Sequence, residues 1–104
     1  MLVITTPTIE GHPITRYLGM VSGETIAGVN FLKDIGAGLR NLVGGRAESY
    51  EREMRDASIA AVNEMCGRAA QMGANAVVGV KVDYFTVGDG SMLAACATGT
   101  AVQI

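Results

Sequence analysis

The apolar positions of residues 47–72 recur at helical spacing. Tyr50, Met54, Ala57, Ala61, Met65, Ala69 and Met72 fall on one stripe, with Ser58, Val62 and Cys66 along its flank. The opposite face carries Glu48–Arg52, Glu51–Arg55 and Glu64–Arg68, each acid before base at i, i+4, the order that supports a helix. Gly73 stands where a C-terminal glycine ends a helix. Residues 30–43 predict a shorter helix, with Asn30 as N-cap and Phe31, Ile35, Leu39 and Leu42 on one stripe. Gly36 and Gly38 each cost that helix about 1 kcal/mol relative to Ala, so packing must hold it.

The flanking segments have extended character instead. Residues 2–6 (LVITT) are β-branched and apolar, and Pro7, Gly11 and Pro13 punctuate the loop after them. Residues 14–27 form a second extended run, with Tyr17, Val21 and Thr25 on one parity and Leu18, Met20 and Ile26 on the other. Residues 2–27 thus predict a hairpin, in which Gly19 and Gly23 mark a bulge or a close backbone contact. Residues 75–87 alternate, with Ala76, Val78, Val80, Val82 and Tyr84 on one face and Gly79, Lys81, Asp83 and Phe85 on the other. Gly88-Asp89-Gly90 turns the chain into a last strand over 91–104. Its side chains are small (Ala94, Ala95, Ala97, Thr98, Gly99, Thr100, Ala101), so another layer can approach closely over it. The expected order is β-β-α-α-β-β: one α+β domain over residues 1–104, an antiparallel-rich sheet packed by one long helix.

Composition adds a constraint. The chain is 49% hydrophobic and only 17% charged, with a mean hydropathy of +0.31, where an ordinary domain has about 25% charged residues. A small domain has the largest share of surface to cover, so the surplus predicts self-association. No run approaches the roughly 18 apolar residues of a spanning helix, so a membrane is not the sink. A net charge of −2 with interspersed signs argues against nucleic acid, whose binders cluster Lys and Arg. The N-terminus lacks the positive region of a signal peptide, and Cys66 and Cys96 have no framework spacing, so two reduced, buried thiols in the cytoplasm are expected.

Candidate chemistry is sparse. Gly44-Gly45-Arg46 before the long helix suggests an anion site, but Glu48 and Glu51 already complement the helix N-terminus and would repel an anion. No GxxxxGK[ST] is present, so the segment reads as a tight turn between helices. A turn does not need Arg46; its planar fork suits a carboxylate or carbonyls on a neighbouring subunit or a helix end. Metal ligands would come from Cys66, Cys96, His12 and the methionines, but no CxxC or HxxxH exists, so a site would be assembled across subunits. The methionines Met20, Met54, Met65, Met72 and Met92 fall on predicted inward faces. Asp83 and Asp89 flank one hairpin, and Glu10 and Glu24 could face each other across the first. Each has a simpler reading as a turn or solvent-face residue, and no catalytic or cofactor-binding residue is assigned.

Four blocks, TTPTIEG (5–11), VSGETIAGVNFLKDIGAGLRNLVGGRAESYE (21–51), GANAVVGVKVDY (73–84) and GTAVQI (99–104), resemble the YbjQ-like family. These are small bacterial and archaeal proteins of unknown function, some labelled as heavy-metal-binding. The resemblance covers essentially the whole chain in the same order. It implies a dodecin-like subunit in a homopentameric ring; Gly44, Gly45, Arg46, Tyr50, Gly73 and Gly99 are read from the residues themselves as serving turns or interfaces. It supplies no catalytic residue. Many family members have Ser where this chain has Ala47, and some have Cys where it has Leu18, so a helix cap and a thiol are missing here. The expectation is a non-enzymatic homo-oligomer that binds a small ligand or ion between subunits, the alternative being a heavy metal held by inter-subunit Cys, His and Met.

Overall fold

The computed structural model describes residues 1–26, 45–88 and 92–104, with side chains of the long helix given from residue 51. Within these residues lie β1 (Leu2–Val3), β2 (Arg16–Ile26), α1 (Gly45–Gln71), β3 (Ala76–Val87) and β4 (Met92–Gln103). The predicted helix over 30–43 lies outside the described residues, as do Gly44 and the tip of the second hairpin.

α1 forms where the periodicity places it, but starts at Gly45, so Gly45 and Arg46 belong to its first turn rather than to a preceding loop. Ala57, Ala61, Met65 and Ala69 are buried against the sheet. At the far end the Ala74 N–H donates to the Ala69 carbonyl at 3.0 Å, and Gly73 takes φ +91°. This is the glycine-terminated cap its position predicts.

The sheet order is β1-β3-β4-β2, so the expected hairpin over 2–27 does not form. β1 runs parallel to β3, with Leu2 against Ala76. β2 instead pairs antiparallel with β4, from Arg16–Gln103 to Ile26–Ala94. The reason is apolar burial. The segment between β1 and β2 lies over one sheet face, where Ile4, Ile9 and Ile14 pack with Ile104 against Ala76, Val78 and Val102. Local pairing of β1 with β2 would leave those isoleucines in water. The β3–β4 hairpin forms as expected.

Simple alternation fails at two glycines. Gly19 (φ +121°) sits at a register shift after Tyr17, and Gly79 (φ +62°) at another between Val78 and Lys81. Each is a bulge, which moves the following residues to the opposite face. Leu18 therefore packs with Val21 rather than with Met20 and Ile26, and Val78 parts company with Val80 and Val82. Tyr17 and Met20 stand 68% and 84% exposed, which corrects the inward placement of Met20; Met72 is also exposed.

Two cores result. The helix-side core joins Ala57, Ala61, Met65 and Ala69 to Val21, Val77, Val80, Ala95, Ala97 and Ala101. Here the layers nearly touch: a Cβ on Gly23 would collide with the Ala61 carbonyl and the Met65 amide. Gly99 is similarly enclosed, its missing Cβ falling 2.7 Å from Val77 Cγ1. The second core is the smaller cluster beneath the 4–15 segment.

Candidate functional site

The sheet face away from α1 collects the polar residues with chemical potential. Ala95 and Ala97 pack toward the helix, so Cys96 between them faces the other way. Its register partners are Glu24 on β2 and Asp83 on β3. Directly paired residues share a face and lie about 4.5–5.5 Å apart. A thiol thus stands between two carboxylates in one row across the sheet. The next row toward the loop-covered end holds Ser22, Thr98 and Lys81, and the row on the other side holds Ile26, Ala94 and Phe85. Ile26 and Phe85 are 61% and 49% exposed.

Both carboxylates already have cationic partners. Asp83 Oδ1 lies 3.5 Å from Lys81 Nζ, and Glu24 Oε2 lies 2.9 Å from Arg68 Nη1. Arg68 reaches from α1 around the outer edge of β2: Nη1 also donates to the Ser22 carbonyl at 3.0 Å, and Nη2 donates to Glu64 at 3.0 Å. These pairs are half to three-quarters exposed, so each contributes at most about 0.2–1 kcal/mol. Among the described residues, no group of three or more His, Cys, Asp or Glu is arranged to hold a metal ion.

The other candidates lie apart from this row. Cys66 is a half-buried free thiol on α1, beside buried Met65, whereas Cys96 is half-buried on the opposite face of the sheet. One chain does not bring the two together. His12 is exposed in the 4–15 segment, its N–H bonded to the Ile9 carbonyl at 3.0 Å. Its neighbours Ile9 and Ile14 belong to the Ala76–Val102 end of the sheet, away from the Cys96 row. Glu10 and Glu24 do not face each other, since the hairpin that would align them is absent. Asp89, and the side chains of Arg46 and Tyr50, lie outside what is described. Gly73 and Gly99 have clear structural work, the first ending α1 and the second accepting the Val77 and Val80 side chains.

One depression lies on the outer face of α1, lined by Ala60, Asn63, Glu64, Gly67, Arg68 and Gln71. All six belong to one helix, so it is open and encloses nothing. Sequence reasoning missed the Glu24–Cys96–Asp83 row because it paired β2 with β1. It saw Arg68 only as the helical partner of Glu64. The available signal was the matched length of β2 and β4, which makes them candidates to pair.

A family model described as "Putative heavy-metal-binding" matches residues 1–104. A UPF0145 protein of Corynebacterium jeikeium is 55% identical over 102 residues, covering 98% of this chain and 97% of its own. UPF0145 proteins of Bifidobacterium longum and Listeria welshimeri are each 54% identical over 105 residues, covering 100% of this chain and 96% of their own. A crystal structure of a DUF74-family protein of unknown function from Pediococcus pentosaceus is similar with TM-score 0.67 and 16% identity. That likeness covers 100% of this chain and 97% of the other, and at this identity it bears on the fold.

Proposed function

The chain belongs to the YbjQ-like (UPF0145) family, and on that premise we propose that it is a non-catalytic, cytoplasmic subunit of a homopentameric, dodecin-like ring. The ring holds a small ligand or ion between its copies. The observation that carries this reading is the apolar surface left in water: Tyr17, Met20, Ile26, Tyr84 and Phe85 on the sheet, each 41–84% exposed. Large apolar side chains exposed in this number on a small domain favour burial against another copy. The shape agrees. The Cα radius of gyration is 16.5 Å, where a compact domain of this length has about 13 Å. Self is the partner; the dispersed charge suits neither nucleic acid nor an anionic membrane surface, and no described helix is long and apolar enough to cross a membrane. Sedimentation equilibrium of the untagged protein tests this, a pentameric mass being expected. A monodisperse single chain at micromolar concentration overturns it. Native mass spectrometry of the assembly would then display a bound ligand as additional mass.

The Glu24–Cys96–Asp83 row supports a second reading, a heavy metal bound by inter-subunit ligands. A thiolate with flanking carboxylates is a mixed soft–hard donor set, and it lacks the closed ligand shell a metal requires from one chain. A second copy adding Cys66, His12 or a methionine would complete it. Elemental analysis of untagged protein should then find zinc or copper, lost in Cys96→Ser. A metal-free protein that forms its full assembly removes this reading and leaves the first intact.

A further inference from the structure

We propose that Arg68 is a guard on the open edge of the sheet, preventing a strand of a second copy from adding to β2. β2 is an eleven-residue strand with one strand neighbour, β4, among the described residues. A long edge strand with exposed apolar side chains is a template for pairing with another chain, and β2 carries Tyr17, Met20 and Ile26 exposed. The usual protections are weak here: the strand contains no proline and no lysine, and its bulge lies near one end, at Gly19.

The central protection is a side chain from another layer. The Ser22 carbonyl, midway along the edge, accepts a hydrogen bond from Arg68 Nη1, and the same nitrogen bonds Glu24. Nη2 is fixed by Glu64 one helical turn earlier. The guanidinium thus occupies the backbone acceptor that an incoming strand would use. It also holds Glu24, the carboxylate that would otherwise attract a basic residue of that strand.

The occupant excluded is the β3 edge of another copy. β1 and the residues after it cover β3 only as far as Val80, where the Val80 N–H donates to the Ile4 carbonyl. From Lys81 to Val87 the outer side of β3 has no strand partner among the described residues. Among the described residues every copy therefore offers a second unpaired edge, and that edge carries Lys81, complementary to Glu24. Such pairing joins unlike edges and propagates without closing unless the rotation happens to close a ring. The guard concerns main-chain pairing at β2, whereas the assembly proposed above is attributed to exposed apolar side chains.

The test compares wild type, Arg68→Ala, Arg68→Lys and the double variant Arg68→Ala/Ser22→Lys by sedimentation velocity across a concentration series, with thioflavin T and thermal melts alongside. Arg68→Ala should gain a heavy, concentration-dependent species with raised thioflavin T fluorescence. Arg68→Lys should show less, because one ammonium cannot reach all three acceptors as the planar fork does. The double variant places a lysine on the same edge, at a half-buried position outside the apolar surface assigned to assembly, and should return to the wild-type mass. Arg68→Ala with the wild-type distribution at every concentration overturns the proposal. So does a double variant that aggregates as much as the single one, since that outcome indicates general destabilisation.

Discussion

The two faces of the sheet are packed by opposite rules. Under α1 the contacts are mainly alanines, with Met65 and three valines, and at Gly23 the helix backbone lies directly on the strand. Under the 4–15 segment the contacts are four half-buried isoleucines around Ala76, Val78 and Val102. One face is held by closeness and the other by bulk. The first has no room to add an atom; the second depends on large side chains that cannot be shortened. β3 and β4 serve both faces, and β3 does so by changing sides at Gly79.

This contrast is tested first at its tightest point. Gly23→Ala should destabilise by at least the upper part of the 1–3 kcal/mol usual for overpacking, because both colliding groups are helix backbone. Urea unfolding measures it; a change below 1 kcal/mol, read against this same range, would mean that the helix–sheet spacing is looser than described. Replacing Ala97 or Gly99 with Leu should cost about 1–3 kcal/mol, detected as a lower melting temperature or a lost assembly. Unchanged stability and mass in both would refute the tight-layer account. On the other face an equivalent enlargement should be mild and a truncation felt, with Ile14→Val expected near the lower end of 0.5–1.5 kcal/mol because Ile14 is only half-buried. A comparably small effect should come at Asn75. Its amide donates to the Ile104 carbonyl at 3.0 Å and accepts the Ile104 N–H at 2.8 Å. Asn75→Ala should cost about 1 kcal/mol, the net worth of a typical hydrogen bond, with faster amide exchange confined to the end of β4.

The same contrast governs what could be read from sequence. α1 was legible because its stripe runs unbroken and Gly73 ends it, and the β3–β4 hairpin because its turn is local. Gly19 and Gly23 were recognised together as either bulge or close contact; the structure divides those roles between them. The pairing of β1 was not legible, since two residues carry little pattern and their partner lies far along the chain. The face assignment of β3 failed for a different reason. An alternation of valines does not reveal the positive φ at Gly79 that reverses it. The Glu24–Cys96–Asp83 row inherits both difficulties, because it depends on which strand neighbours which.

The pairing of β2 with β4 has a kinetic consequence. It joins Arg16 to Gln103, so nearly the whole chain must be present before that ladder can begin. Loop closure is unrewarded until then, which slows folding. The second half, with α1 and the local hairpin, can organise on its own schedule, whereas the first two strands wait for a destination. During synthesis from the N-terminus, β2 emerges early and is the last long strand to be claimed. The interval in which it is vulnerable is set by topology rather than by final stability.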